Sequence, residues 1–176
     1  NWDNGVPGST TAVTIPSGLG NNYPTVSSPA ICGSITIESG ASLINNGLLG
    51  IPAGQATVKR VISDAADDKW HLFISPITQS IAATGTSCFN GAYLDRYDEP
   101  SGEWVRLITG ENVVPGYGYS INYLAGSREL VFDGTLKNSP LTYSNLSNTS
   151  GAPGYGPGWH LIGNPYPCGI NPSLCA

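Results

Sequence analysis

The chain has 176 residues, a formal net charge of −5 and only 11% charged residues. That balance excludes a nucleic-acid-binding face, which needs clustered Lys and Arg against phosphate, and it argues against an anionic membrane surface. With 23 Gly and 14 Pro, long helices are disfavoured by backbone entropy and lost donors, so the composition predicts short strands joined by turns.

In chain order, the first third is almost uncharged: no Lys or Arg precedes Lys59, and only Asp3 and Glu38 are acidic. Such a stretch suits a surface that packs against itself, a sugar or a neighbouring subunit. Val13-Thr14-Ile15 and Ile35-Thr36-Ile37 are two copies of an apolar-Thr-Ile strand, each followed by a Ser-Gly turn. Ser42-Leu43-Ile44 runs into Asn45-Asn46-Gly47, a turn signal because Asn and Gly accept positive φ. Ala56 to Ile62 alternates as a strand, with Val58, Arg60 and Ile62 on one side. These strands read either as solenoid-like rungs or as the opening strands of a sandwich. A polar, acidic connection from Ser63 to Lys69 marks a soft boundary. It divides residues 1–62 from a sandwich-like module over 63–176, unless the two form one continuous domain.

Beyond it, Trp70-His71-Leu72-Phe73-Ile74-Ser75-Pro76 is echoed by Trp159-His160-Leu161-Ile162-Gly163-Asn164-Pro165, matching in register at Trp, His, Leu and Pro. Ala92 to Asp98 and Glu103 to Leu107 are the arms of a hairpin closed by Glu99-Pro100-Ser101-Gly102. Tyr117 to Tyr123, Glu129 to Phe132 and Leu141 to Tyr143 supply further strands, and 144–158 is a low-complexity linker. About ten to twelve strands and no helix make the fold class all-β: a sandwich or jelly-roll-like module preceded by short solenoid-like or sandwich strands.

Several of these motifs together resemble Bacteroidetes-type secreted cell-surface repeat proteins. They are Asn1-Trp2-Asp3-Asn4-Gly5-Val6-Pro7, the Trp70 strand, the Tyr97-Asp98-Glu99 to Trp104 hairpin and Pro115-Gly116-Tyr117-Gly118-Tyr119. Phe132-Asp133-Gly134-Thr135-Leu136 and Gly158-Trp159 to Asn164-Pro165-Tyr166-Pro167 complete the series. The resemblance covers most of the chain and implies an extracellular location more strongly than an activity. Both ends fall inside motifs, which predicts a trimmed segment of a longer product or a subunit that takes a strand from a neighbour. No signal peptide and no apolar run of membrane-spanning length is present, so a mature soluble piece without membrane insertion is expected.

The cysteines Cys32, Cys88, Cys168 and Cys175 form an even set, although cysteine is unusual in that pattern, and no spacing suggests zinc. They are expected to form two disulfides in an oxidising compartment, Cys168–Cys175 as a short loop and Cys32–Cys88 as a long one. The competing reading is four reduced, buried thiols.

Catalysis finds little support in the residues. His71 and His160 occupy the same position of a repeated strand motif, and no Gly-x-Ser-x-Gly elbow accompanies them. Asp95, Asp98, Glu99 and Glu103 all sit on or beside one hairpin, a poor frame for two carboxylates facing across a sugar. Asp64, Asp67 and Asp68 lack calcium-loop spacing. Asn145-Leu146-Ser147 and Asn148-Thr149-Ser150 fit the glycosylation pattern but mark only an exposed linker. No cofactor or metal is expected. The aromatic residues carry more: Tyr117, Tyr119 and Tyr123, joined by Trp104 and Asn122, could stack a pyranose, unless the rings are core. The expected function is therefore a non-catalytic structural or adhesive surface module, assembling with itself or neighbouring surface proteins by strand addition. A carbohydrate-binding module holding polysaccharide is the alternative, and a glycoside hydrolase comes third.

Overall fold

The computed structural model describes residues 5–62, 69–80, 88–123 and 128–169. The fold is all-β, with twelve strands and no helix among the described residues. Its first part is a stack of parallel rungs. β1 (Ala12–Ile15), β3 (Ser34–Ile37) and β5 (Ala56–Ile62) lie side by side. Ala12 pairs with Ser34 and Ile35 with Ala56, so successive rungs advance by 22 and then 21 residues. Alternation puts Val13, Ile15, Ile35, Ile37, Ala56 and Val58 inside, all buried. It puts Thr14, Thr36 and Thr57 opposite one another on the other face. β-branched residues suit both rows, because their restricted side chains pack well on a pleated surface.

A second run of parallel pairing faces the first. β2 (Ala30–Ile31) lies beside β4 (Leu49–Gly50), and Thr25 bridges Ile44. The return there depends on Asn45-Asn46-Gly47. Asn46 and Gly47 take positive φ of 53° and 71°, and the buried Asn45 side chain accepts the Leu49 N–H at 2.7 Å. The expected Ser42–Ile44 strand is thus reduced to a single bridge.

The parallel stack ends where β12 (Arg128–Gly134) runs antiparallel along the whole of β5. The expected boundary at 63–69 falls largely on residues outside those described, but this pairing joins the sequence on its two sides into one sheet. Facing it is an antiparallel sheet in the order β6 (His71–Ile74), β11 (Gly118–Tyr123), β8 (Ala92–Asp98), β9 (Glu103–Arg106). A two-stranded ribbon of β7 (Gln79–Ser80) and β10 (Asn112–Val113) stands apart from it. The two large sheets meet through rings. Phe73 lies 5.7 Å from Tyr119, 5.8 Å from Phe89 and 6.1 Å from Phe132, and Phe89 is 6.0 Å from Phe132. Offset and edge contacts at such spacings add to the large area each ring buries.

The sequence repeat is not a structural one. Trp70-to-Pro76 forms β6, whereas its echo makes only a bridge from Ile162 to Tyr117. The two copies nevertheless meet at the start of β11. There Gly118 N–H donates to the Leu161 carbonyl, Gly163 N–H to the Gly116 carbonyl, both at 2.8 Å. Leu141–Tyr143 is likewise no strand; Tyr143 instead donates its hydroxyl to Gly116 and Gly163 carbonyls.

The expected Cys32–Cys88 disulfide does not form. Cys32 is buried between the two runs of parallel pairing, beside Val13, Ile35 and Leu49. Cys88 belongs to the aromatic region, next to Phe89 and within hydrogen-bonding reach of the Val131 backbone. Burial pushes the thiols of Cys32, Cys88 and Cys168 above the ordinary cysteine value, which keeps them protonated and poorly reactive. Cys175 lies outside the described residues, so the Cys168–Cys175 pair does too.

Phe132 is the residue most exposed to a cavity test, since it touches both sheets. Phe132→Ala is expected to lower unfolding free energy by about 3–5 kcal/mol in urea titration. Val61→Ala, on the open side of β5, should change it by roughly 0.5 kcal/mol or less.

Candidate functional site

The most distinctive surface is the outer face of the β8–β9 hairpin. Pairing sets Asp95 opposite Arg106 and Tyr97 opposite Trp104. The two-residue period then places Tyr93, Asp95 and Tyr97 on one face, with Leu94 turned into the core. Arg106 forks onto the Asp95 carboxylate through Nε and through Nη2, the latter at 3.3 Å. Its guanidinium also lies 4.5 Å from the Tyr93 ring and 5.9 Å from Trp70. The face is therefore aromatic and locally neutral, because its cation is matched by its carboxylate.

At the turn end, four rings gather. Tyr97 lies 5.6 Å from Trp104 and 4.4 Å from Trp159, both edge-on, and Trp159 stacks on Tyr155 at 4.4 Å with 27° between the planes. Trp104 remains 36% exposed and Tyr155 63% exposed. These rings form an open aromatic cluster on the surface.

Half of this cluster comes from the segment 144–158 and the Trp159 that follows it, a strap with no strand of its own. Three contacts hold it against the hairpin. The carboxylate of Glu99, only 2% exposed, accepts Thr149 N–H at 2.8 Å, Thr149 Oγ1–H at 2.9 Å and Gly158 N–H at 2.9 Å. The Ser147 hydroxyl adds a further donor. Second, Gly102 and Gly154 sit back to back, both at positive φ. A Cβ on Gly102 would lie 2.5 Å from the Pro153 carbonyl carbon, so only glycine permits this approach. Third, Tyr155 N–H donates to the Tyr97 hydroxyl at 3.3 Å. Among the described residues no cation pairs with Glu99. Neutral donors stabilise its charged form instead, chiefly the Ser147 hydroxyl, then Gly158 N–H and Thr149, and its pKa falls to about 2.

The residues expected to form a sugar platform are only partly assembled. Trp104 does lie on the open face. Tyr119, Tyr123 and Asn122 are 4%, 2% and 1% exposed: β11 lies in the interior of its sheet between β6 and β8, and all six of its residues are buried. Tyr119 accepts the Val114 N–H at 2.8 Å and packs on Phe73, while Tyr123 donates its hydroxyl to the Cys88 carbonyl. Tyr117 is exposed but packs edge-on against Tyr143, 5.6 Å away. Tyr97, Tyr155 and Trp159, which complete the actual cluster, were hidden in a hairpin arm, a linker and a repeat. The available signal was aromatic residues inside a Gly/Pro-rich segment, where a plain linker has no use for them.

Three of the four hairpin carboxylates are engaged. Asp95 holds Arg106, Glu99 holds the strap, and Asp98 takes the Ser101 hydroxyl, which holds its pKa below the usual carboxylate range. Glu103 is exposed at the start of β9. His71 stands on β6 opposite Ile121, and His160 is bonded through Nε2 to the Ser147 carbonyl at 2.8 Å. Asp64, Asp67 and Asp68 lie outside the described residues. No match to a protein family, a curated protein or a solved structure was found for the chain.

Chemically, the arrangement can present flat apolar rings beside hydrogen-bonding groups of no net charge. The Glu99 contacts also make a pH prediction. Its folded pKa of about 2 lies below the ordinary value of 4.5 for a glutamate, so the stabilisation is complete above pH 4.5 and lost as pH falls towards 2. Near-UV circular dichroism of the Tyr155–Trp159 stack should fade over that window in the native chain. A Glu99→Gln variant should show no such step there.

Proposed function

We propose that the chain is a non-catalytic, extracellular adhesive module that holds a carbohydrate chain on the Tyr97, Trp104, Tyr155 and Trp159 cluster. The observation that carries this reading is the openness of Trp104 and Tyr155 on a neutral face. The C–H-rich faces of pyranose rings stack on such surfaces, and the Asp95–Arg106 fork beside them offers groups to read hydroxyls. Neutral polysaccharide fits better than anionic, because Arg106 is already matched by Asp95 and the chain carries net negative charge. The resemblance to Bacteroidetes-type secreted surface proteins supports the location, and the neutral first third is consistent with it.

Affinity electrophoresis in gels containing glucomannan, xylan, xyloglucan or β-glucan tests the reading. At least one is expected to retard the native chain, and Trp104→Ala or Tyr155→Ala should weaken that retention about tenfold or more. Retardation by none of these polysaccharides, or unchanged retention in both variants, counts against it.

One observation favours a second, structural role. Among the described residues, β1 pairs only with β3, so its outer edge is open. Beside it lies an apolar cavity of about 370 Å³ lined by Val13, Ile15, Cys32 and Leu49. An unpaired edge of this kind accepts a strand from a neighbour. Light scattering across concentration should then show oligomers that a Thr14→Pro change, which removes a donor and fixes φ in the edge strand, abolishes. A monomer at every concentration would exclude strand addition between copies.

A further inference from the structure

The strap brings two of the four platform rings, yet it makes no strand pairing and is fastened by the contacts of Glu99, Gly102 and Tyr97. The rings of Tyr97 and Trp104, by contrast, stand on paired strands. The platform is thus built from a fixed half and a clasped half. Glu99 accepts hydrogen bonds from both Thr149 and Gly158 of the strap, and it does so from the turn that joins the two fixed strands. It is 2% exposed and its oxygens are occupied by Thr149 and Gly158, so its carboxylate is engaged with the strap and not open to a ligand.

We propose that Glu99 is a positioning residue whose clasp on the strap assembles the ligand platform, and that polysaccharide binding and strap closure stabilise one another. This rests on the carbohydrate-binding reading above. The reason is linkage. A ligand that lies across all four rings contacts the closed arrangement more fully than an open one. It must therefore favour closure by its difference in affinity, and closure must favour binding equally. A strap already closed spares the ligand the ordering cost.

The experiment combines hydrogen exchange, near-UV circular dichroism and affinity electrophoresis with whichever soluble neutral polysaccharide retards the native chain. Two variants disturb the clasp by different means: Glu99→Gln removes the charge that gathers the donors, and Gly102→Ala drives a methyl into the Pro153 carbonyl. In the native chain, exchange across 144–158 should slow when polysaccharide is added, while exchange in β5, β11 and β12 is unchanged. Both variants should speed strap exchange and bind about tenfold more weakly. They should reach the native level of binding at saturating polysaccharide and leave the core strands protected. That pattern separates positioning from general destabilisation, which would raise exchange everywhere.

The inference is overturned if polysaccharide leaves strap exchange unchanged, or if both variants loosen the strap yet bind like the native chain. It is equally overturned if neither variant loosens the strap. In those cases Trp104→Ala would still weaken binding, and the carbohydrate reading would stand. Retention by no polysaccharide removes both, and is recognised because the native chain itself then fails in the gel.

Discussion

A single row of side chains, Ile15, Ile37, Val58 and Phe132, crosses the first sheet from edge to edge, each paired with the next. All four are buried, and the last of them reaches the ring cluster of Phe73, Phe89 and Tyr119. This row ties the parallel rungs to the antiparallel sheet. The rungs can bury one face of their strands only if something apolar lies over it, and the sheet of β6, β11, β8 and β9 needs a partner for the same reason. Phe132 answers both needs because β12 pairs along β5 while its ring points between the layers. The hairpin of β8 and β9 is positioned from there, through β11, and the outer face follows.

The hairpin then divides its acidic residues among different tasks. Asp95 orients Arg106 between the Tyr93 and Trp70 rings, Asp98 shapes the turn through Ser101, and Glu99 gathers a strap from about fifty residues further on. Each task needs a carboxylate for its acceptor oxygens, and each leaves those oxygens occupied. What remains open on this face is ring surface and part of the Arg106 side chain.

Much of this fold was legible in the sequence because it follows from local alternation and turn chemistry. The strands at 12–15, 34–37, 56–62 and 71–74 and both arms of the 92–106 hairpin lie where the pattern put them. Asn45-Asn46-Gly47 turns as its residue types require. The site was harder to read. Alternation along Tyr117 to Tyr123 separates two faces but does not say which is covered, and along β11 both are. The strap was invisible for a different reason. Its partners to Glu99 include backbone N–H groups, which nearly every residue possesses, so no pattern of side chains announces them. The cysteines illustrate the same limit: an even count is compatible with pairing, while Cys32 and Cys88 lie in different parts of the core.

The direction change at β12 also gives the first sheet a polarity. On that side an antiparallel strand, its Phe132 ring packed against Phe73 and Phe89, closes the run of parallel rungs. On the β1 side the repeat of 22 and 21 residues meets no such stop among the described residues. Length in this architecture is therefore a one-sided variable. Whole rungs can be gained or lost there as units, lengthening the body that carries the ring platform without altering the platform itself.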